Sequence, residues 1–130
     1  MAGGSSGRTA RLLVASILEA SLDDEWTVYA SWPEVVAAPA AVIRPRPPYR
    51  EREAHKGERV NLTVLLMLPR PSDDEAFDSV DAWLDIVRAD LELVDGVEVP
   101  AIGDIAPLQS AGGVEHLAGA LDVTIHLVNT

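Results

Sequence analysis

The chain contains no cysteine, which excludes disulfides and thiolate chemistry while leaving the compartment open. No apolar run approaches the roughly 18 residues that a membrane span needs. The first residues, Met1–Gly7, hold no charged segment leading into a long apolar one, so neither a membrane anchor nor a secretory leader is expected. Histidine is scarce as well, and His55, His116 and His126 stand far apart. There is no glycine-rich phosphate loop, no nucleophile elbow and no pair of histidines at ligand spacing. That inventory is poor for acid–base, nucleophilic or metal chemistry. The chain therefore reads as non-enzymatic, with no catalytic residue, no metal ligand and no cofactor.

What is present suits a folded domain. At 130 residues, 48% of them hydrophobic and 24% charged, the chain is expected to form a single domain with a real core. The expected organisation is a flexible tail over residues 1–7 and one α+β domain over residues 8–130. Charge is divided unevenly along it. Residues 1–65 carry eight basic and eight acidic side chains, whereas residues 66–130 carry two basic and thirteen acidic ones, for a net charge of -11. The acidic half would repel phosphate, which disfavours specific nucleic-acid binding.

Apolar spacing predicts a first helix over Arg8–Ala20, with Leu13, Ile17 and Ala20 on one stripe and Val14, Leu18 and Ser21 beside it. Asp23-Asp24-Glu25 reads as a solvated turn. Short β-rich runs follow at Trp26–Ala30 and Ala40–Ile43, separated by proline-punctuated sequence. Trp32, beside Pro33, is either a packing anchor at the sheet end or an interface aromatic. Val60–Leu68 is the strongest strand, with Val60, Leu62, Val64, Leu66 and Leu68 on one face. It becomes apolar on the other face too at Leu65 and Met67, which predicts cover there from helices or from a neighbouring subunit. Asn61-Leu62-Thr63 matches a glycosylation sequon, but a mid-strand position argues for coincidence.

Ser72-Asp73-Asp74-Glu75 matches a capping box, with acidic side chains at the positive end of the helix dipole. The helix it opens should reach about Leu91 and bury Phe77, Val80, Leu84, Val87 and Leu91. Its opposite face carries Asp74, Asp78, Asp81, Asp85 and Glu92, relieved by Arg88. Such a row is ordinarily the solvated side of a helix, and no His or Asn completes a ligand set. After the Asp95-Gly96 turn pair, a β-ribbon is expected, about Ile102–Ser110 and Leu117–Val128. In its second arm Leu121, Val123, Ile125 and Leu127 point inward, and Asp122, Thr124 and His126 outward. Asp122 and His126, roughly 13 Å apart on one strand, cannot form a dyad. His126 is expected to be exposed, and His55 and His116 to lie in loops.

The most informative stretch is Arg44–Arg59, which holds six of the ten basic residues. Pro45, Pro47 and Pro48 lack backbone donors and fix φ, so the segment cannot join a central strand. It is expected to be a long arm between the second and third strands, built to touch a partner. Arg44, Arg46, Arg50, Arg52, Lys56 and Arg59 would offer charge-assisted bonds to carboxylates, with Tyr49 as an aromatic anchor.

The fold class expected is α+β: one mixed or antiparallel sheet of four to five strands, two helices on one face, and the long β2–β3 arm. Val28-Tyr29-Ala30-Ser31-Trp32-Pro33, then Pro39-Ala40-Ala41-Val42-Ile43, then Pro45 and Pro47, resemble the progression into a variable arm in the tail terminator proteins of long-tailed bacteriophages. The likeness covers roughly residues 10–130. It implies a structural virion protein at the tail–neck junction, assembled in the host cytoplasm. Such proteins form a hexameric ring that caps the tail tube, ends its growth and meets the head-completion, or stopper, ring. The implied partners are further copies of the chain, the tail-tube protein and the head-completion protein. DNA would pass through the ring without specific binding, along a lumen that Asp74, Asp78, Asp81, Asp85 and Glu92 would line. Another phage neck or tail-completion protein, or a small α+β ligand-binding regulatory module, would share these features.

Overall fold

A computed structural model describes residues 6–33, 36–53, 57–69, 74–109 and 115–128. The described elements are α1 (Ser6–Ser21), β1 (Thr27–Tyr29), β2 (Ala40–Glu53), β3 (Gly57–Leu68), α2 (Asp74–Glu92), β4 (Val97–Gln109) and β5 (Glu115–Val128). The strands form one sheet in the order β1-β2-β3-β5-β4. β1 pairs parallel to β2 and every other pairing is antiparallel, so the fold is α+β with a mixed sheet. β3 and β4 run parallel with β5 between them, which makes β3–α2–β4 a split βαβ unit.

Both helices cover one face. Ala41 and Ile43 of β2, Val60–Leu66 at alternate positions of β3, and Leu117, Leu121, Val123 and Ile125 of β5 meet the helices in a single core. The inward and outward sets predicted for the last strand are the observed ones. The stripe expected of α2 is observed at Val80, Leu84, Val87 and Leu91, whereas that of α1 differs in phase. In α1 the buried row is Ala10, Val14 and Leu18, continued just past the helix by Leu22, and Leu13 and Ile17 flank it half-buried. In α2 the row runs back from Val80 by four residues to the small Ala76, leaving Phe77 44% exposed. Trp83 packs edge-on against Trp26, with ring centroids 5.6 Å apart.

Ser6 and Gly7 belong to α1 and not to a tail. Gly7 is buried because the Tyr49 ring lies where a side chain at this position would go. The second apolar face of β3 is partly covered by the chain itself: Val42, Met67 and Ala118 form a small cluster under Tyr29 and Val36. The Ala37 amide donates to Tyr29 Oη at 3.1 Å, holding that cover in place. Gly96 takes φ +83° to turn the chain from α2 into β4, and its carbonyl accepts from the His126 amide at 2.7 Å. The expected cap at Ser72 lies outside the described residues. No helix among those described is long and apolar enough to cross a membrane.

Arg44–Arg59 forms the expected long β2–β3 arm, with one difference. Its described residues are not an irregular connection but the continuation of β2 and the start of β3 as a long hairpin. β1 pairs only with Ala40–Val42, so beyond that point β2 is an edge strand, where a missing proline donor breaks no ladder. The prolines also fall at a bulge. Pro45 pairs with Leu62 and Arg50 with Val60, which leaves residues 46–49 opposite Asn61 alone.

Candidate partner-binding surface

The hairpin brings an ordered polar surface onto the sheet face away from the helices. Alternation places Arg59, Asn61 and Thr63 of β3 on that face, and their partners on β5 are His126, Thr124 and Asp122. Asn61 sits at the centre, only 4% exposed. Its Nδ2 donates to the bulge carbonyl of Pro48 and to Glu51 Oε1, both at 2.7 Å. Its Oδ1 accepts from Thr124 Oγ1 at 2.9 Å and from Arg46 Nη2 at 3.3 Å. The side chain that matches a sequon is thus fully engaged in holding a bulge.

Charge pairs extend the network. Arg59 donates twice to Glu51, from Nε and Nη2, at 3.1 Å each, the fork geometry that favours arginine over lysine. Arg46 also donates to Thr124 Oγ1 at 3.0 Å and lies 3.7 Å from Asp122. The Asn61 amide, followed by Arg59, lowers the Glu51 carboxyl below its ordinary value and keeps it ionised. On the helix-facing side of the hairpin Arg50 pairs with Glu58. The Glu58 carboxyl is lowered by that bond first and by a bond from Ser6 second.

His126 is not a bare exposed residue. Its Nδ1 lies 2.8 Å from Glu53 Oε1 and its Nε2 3.2 Å from Glu98 Oε1, so one imidazole links β2, β4 and β5. The Glu53 contact is the largest cause of an imidazole value raised above the ordinary one, against an opposing effect of burial. Glu53 reaches across β3 at Gly57, its register partner, where no side chain stands between. His116, expected in a loop, is buried in β5; His55 lies outside the described residues.

Much of the arm expected to bind a partner is therefore engaged within the chain. Arg46, Arg50 and Arg59 have carboxylate neighbours of their own. Tyr49 turns inward, where its hydroxyl accepts from Arg11 Nε at 3.1 Å. Two of the named arginines point outward. Arg44 lies over the Trp32 ring, 5.0 Å from its centroid, and Trp32 is 50% exposed. Arg52 is exposed opposite Glu58. Lys56 lies outside the described residues.

Asp74, Asp78, Asp81, Asp85 and Glu92 are all exposed along one side of α2, with Arg88 3.7 Å from Asp85. Among the described residues no group of three or more His, Asp or Glu side chains is placed to hold a metal ion.

The network is missed by residue-by-residue reading because its members come from four strands. Alternation alone groups Asn61 with Thr63, and Asp122 with Thr124 and His126. The β3–β5 register that joins the two groups is a tertiary property. No protein-family model matches this chain, and no curated protein matches it either.

Proposed function

We propose that the chain is a structural ring protein of the tail terminator kind, which caps a phage tail tube, ends its growth and joins the tail to the head-completion ring. It acts by surface complementarity and not by catalysis. The observation that carries this reading is the one-sided cover of the sheet. Helices shield one face, while the other presents a stiff hydrogen-bonded polar surface beside half-buried Leu65 and the exposed Trp32–Arg44 stack. Tryptophan and arginine are the side chains that most often anchor interfaces. A neighbouring copy in a closed ring would cover this face, and the ring would be a hexamer.

In that ring the exposed carboxylates of α2 suit the lumen. Acidic walls offer DNA phosphate no foothold and let the duplex slide, whereas basic walls would retain it by counterion release. Arg44 and Arg52 remain for contact with the tail-tube protein or the adjacent copy. The protein would sit at the tail–neck junction of the virion after assembly in the host cytoplasm.

Electron microscopy of particles assembled without this chain tests the proposal. Tail tubes of unregulated length that fail to join heads are expected, with restoration when the chain is supplied. Tails of normal length on complete particles would refute it.

A further inference from the structure

The helix layer carries a second apolar row that the core does not use. Along α2 the core takes Ala76, Val80, Leu84, Val87 and Leu91. Ala82, Ile86, Ala89 and Leu93 recur at spacings of 4, 3 and 4, and all four are exposed. Ile86 is 44% exposed, and Leu93, just past the helix end, 81%. At about 100° per residue this row falls roughly 150° around the helix from the core row. It therefore points away from the sheet, on the side opposite to the face assigned to a neighbouring copy. Single exposed apolar residues are ordinary, but neighbours at i+3 and i+4 touch and make one ridge.

The ridge has the spacing of a helix seam. A 4-3-4 recurrence is the heptad step of a coiled coil, here with large side chains at Ile86 and Leu93 and small ones at Ala82 and Ala89. The alanines let a facing backbone come close and receive its larger side chains. Carboxylates flank the row on both sides, Asp78 and Asp85 on one and Asp90 on the other. The one basic residue of α2, Arg88, lies beyond the acidic side, 3.7 Å from Asp85.

That charge pattern selects the occupant. Two copies meeting ridge to ridge would bring these carboxylates against one another, and like charges across a helix seam oppose association. Nucleic-acid phosphate and anionic lipid are repelled for the same reason. A helix with lysine or arginine beside its apolar stripe satisfies both the ridge and its flanks. We propose that the Ala82–Leu93 ridge of α2 docks an amphipathic helix of another protein, with leucine-sized side chains over Ala82 and Ala89 and basic side chains against Asp78, Asp85 and Asp90. The proposal goes beyond the ring reading: a ring closed through the open sheet face leaves this ridge free, and binding here does not require a ring.

The test titrates the full chain with a fluorescently labelled helical peptide of about 21 residues, three heptads of leucine and alanine flanked by lysine. Circular dichroism establishes that each protein variant is folded, and sedimentation follows self-association. Saturable binding of one peptide per chain is expected. Ile86→Ser combined with Leu93→Ser should weaken it about tenfold or more, and exchange of the peptide lysines for glutamate should abolish it. Leu12→Ser, at an exposed apolar position of α1, should leave the affinity within about twofold. No saturable binding overturns the inference, and leaves the ring reading standing if the wild type still forms rings. Equal binding by the double variant would mean that net charge alone attracts the peptide, which also overturns it. Self-association lost in the double variant would show that a second copy covers the ridge, and would overturn the inference in favour of that occupant.

Discussion

Leu84 of α2 rests directly on Gly119 of β5: a Cβ added at Gly119 would lie 2.9 Å from Leu84 Cδ1 and 2.6 Å from Val80 Cγ1. The glycine is therefore a packing requirement, since it lets the helix approach the sheet at the centre of the core. Leu84→Ala should cost about 2–5 kcal/mol by loss of burial and the cavity left behind. Gly119→Ala should cost about 1–3 kcal/mol by overpacking. The double variant should be more stable than the sum of the two losses predicts, because the new methyl enters the space vacated by Leu84. Urea unfolding of the three variants checks this, and strict additivity would separate the two positions.

The His126 clamp sets a pH dependence whose sign is defined. Its folded-state value is raised above the ordinary 6.5, chiefly by Glu53. Stability from the imidazolium is thus fully present below about pH 6.5 and lost as pH rises through the folded value. Glu51 and Glu58 are lowered from 4.5, so their contribution is present above that value and lost as pH falls through the folded ones. His126→Gln should therefore destabilise the chain more at pH 6 than at pH 9, as measured by denaturant midpoints. Equal losses at both pH values would show that the ion pairs contribute nothing.

Asn61 holds the bulge together. Asn61→Ala leaves the Pro48 carbonyl without its side-chain donor and removes one partner each from Glu51, Thr124 and Arg46. The expected cost is about 1–3 kcal/mol. Amide exchange should rise in residues 44–53 and stay unchanged in α2. A uniform rise across the protein would mean that the bulge is not a separate unit of stability.

The rhythm of α2 and the alternation of β5 are legible in the sequence because each depends on neighbours a few residues away. Both helices, the strong third strand and the exposed row of carboxylates follow from such local patterns. The hairpin is legible only in part. Three prolines and six basic side chains suggest an irregular arm, yet β1 ends opposite Val42 and the open edge beyond it tolerates proline. The burial of Ala76 in place of Phe77 is a matter of helical phase, decided by what the sheet offers beneath. The contacts of His126 with Glu53 and Glu98 depend on strand order, which no local pattern encodes.

The carboxylates of α2 should act through their summed field and not individually. Changing Asp78, Asp81 and Asp85 together to Asn should shift stability by no more than about 0.5 kcal/mol per site, as for exposed positions, the Asp85–Arg88 pair being a solvent-exposed one. Assembly should persist. Lys at the same three positions should slow genome passage while tails still form. Stoichiometric divalent-cation binding by the native chain that vanishes in the Asn variant would point instead to a metal site.

The most direct measurement is the solution mass of the full chain across concentration and salt. The account predicts a closed oligomer several times the 13.9 kDa protomer mass, of hexameric size, that persists on dilution. A monomer at every concentration, or a dimer that grows no further, would contradict it.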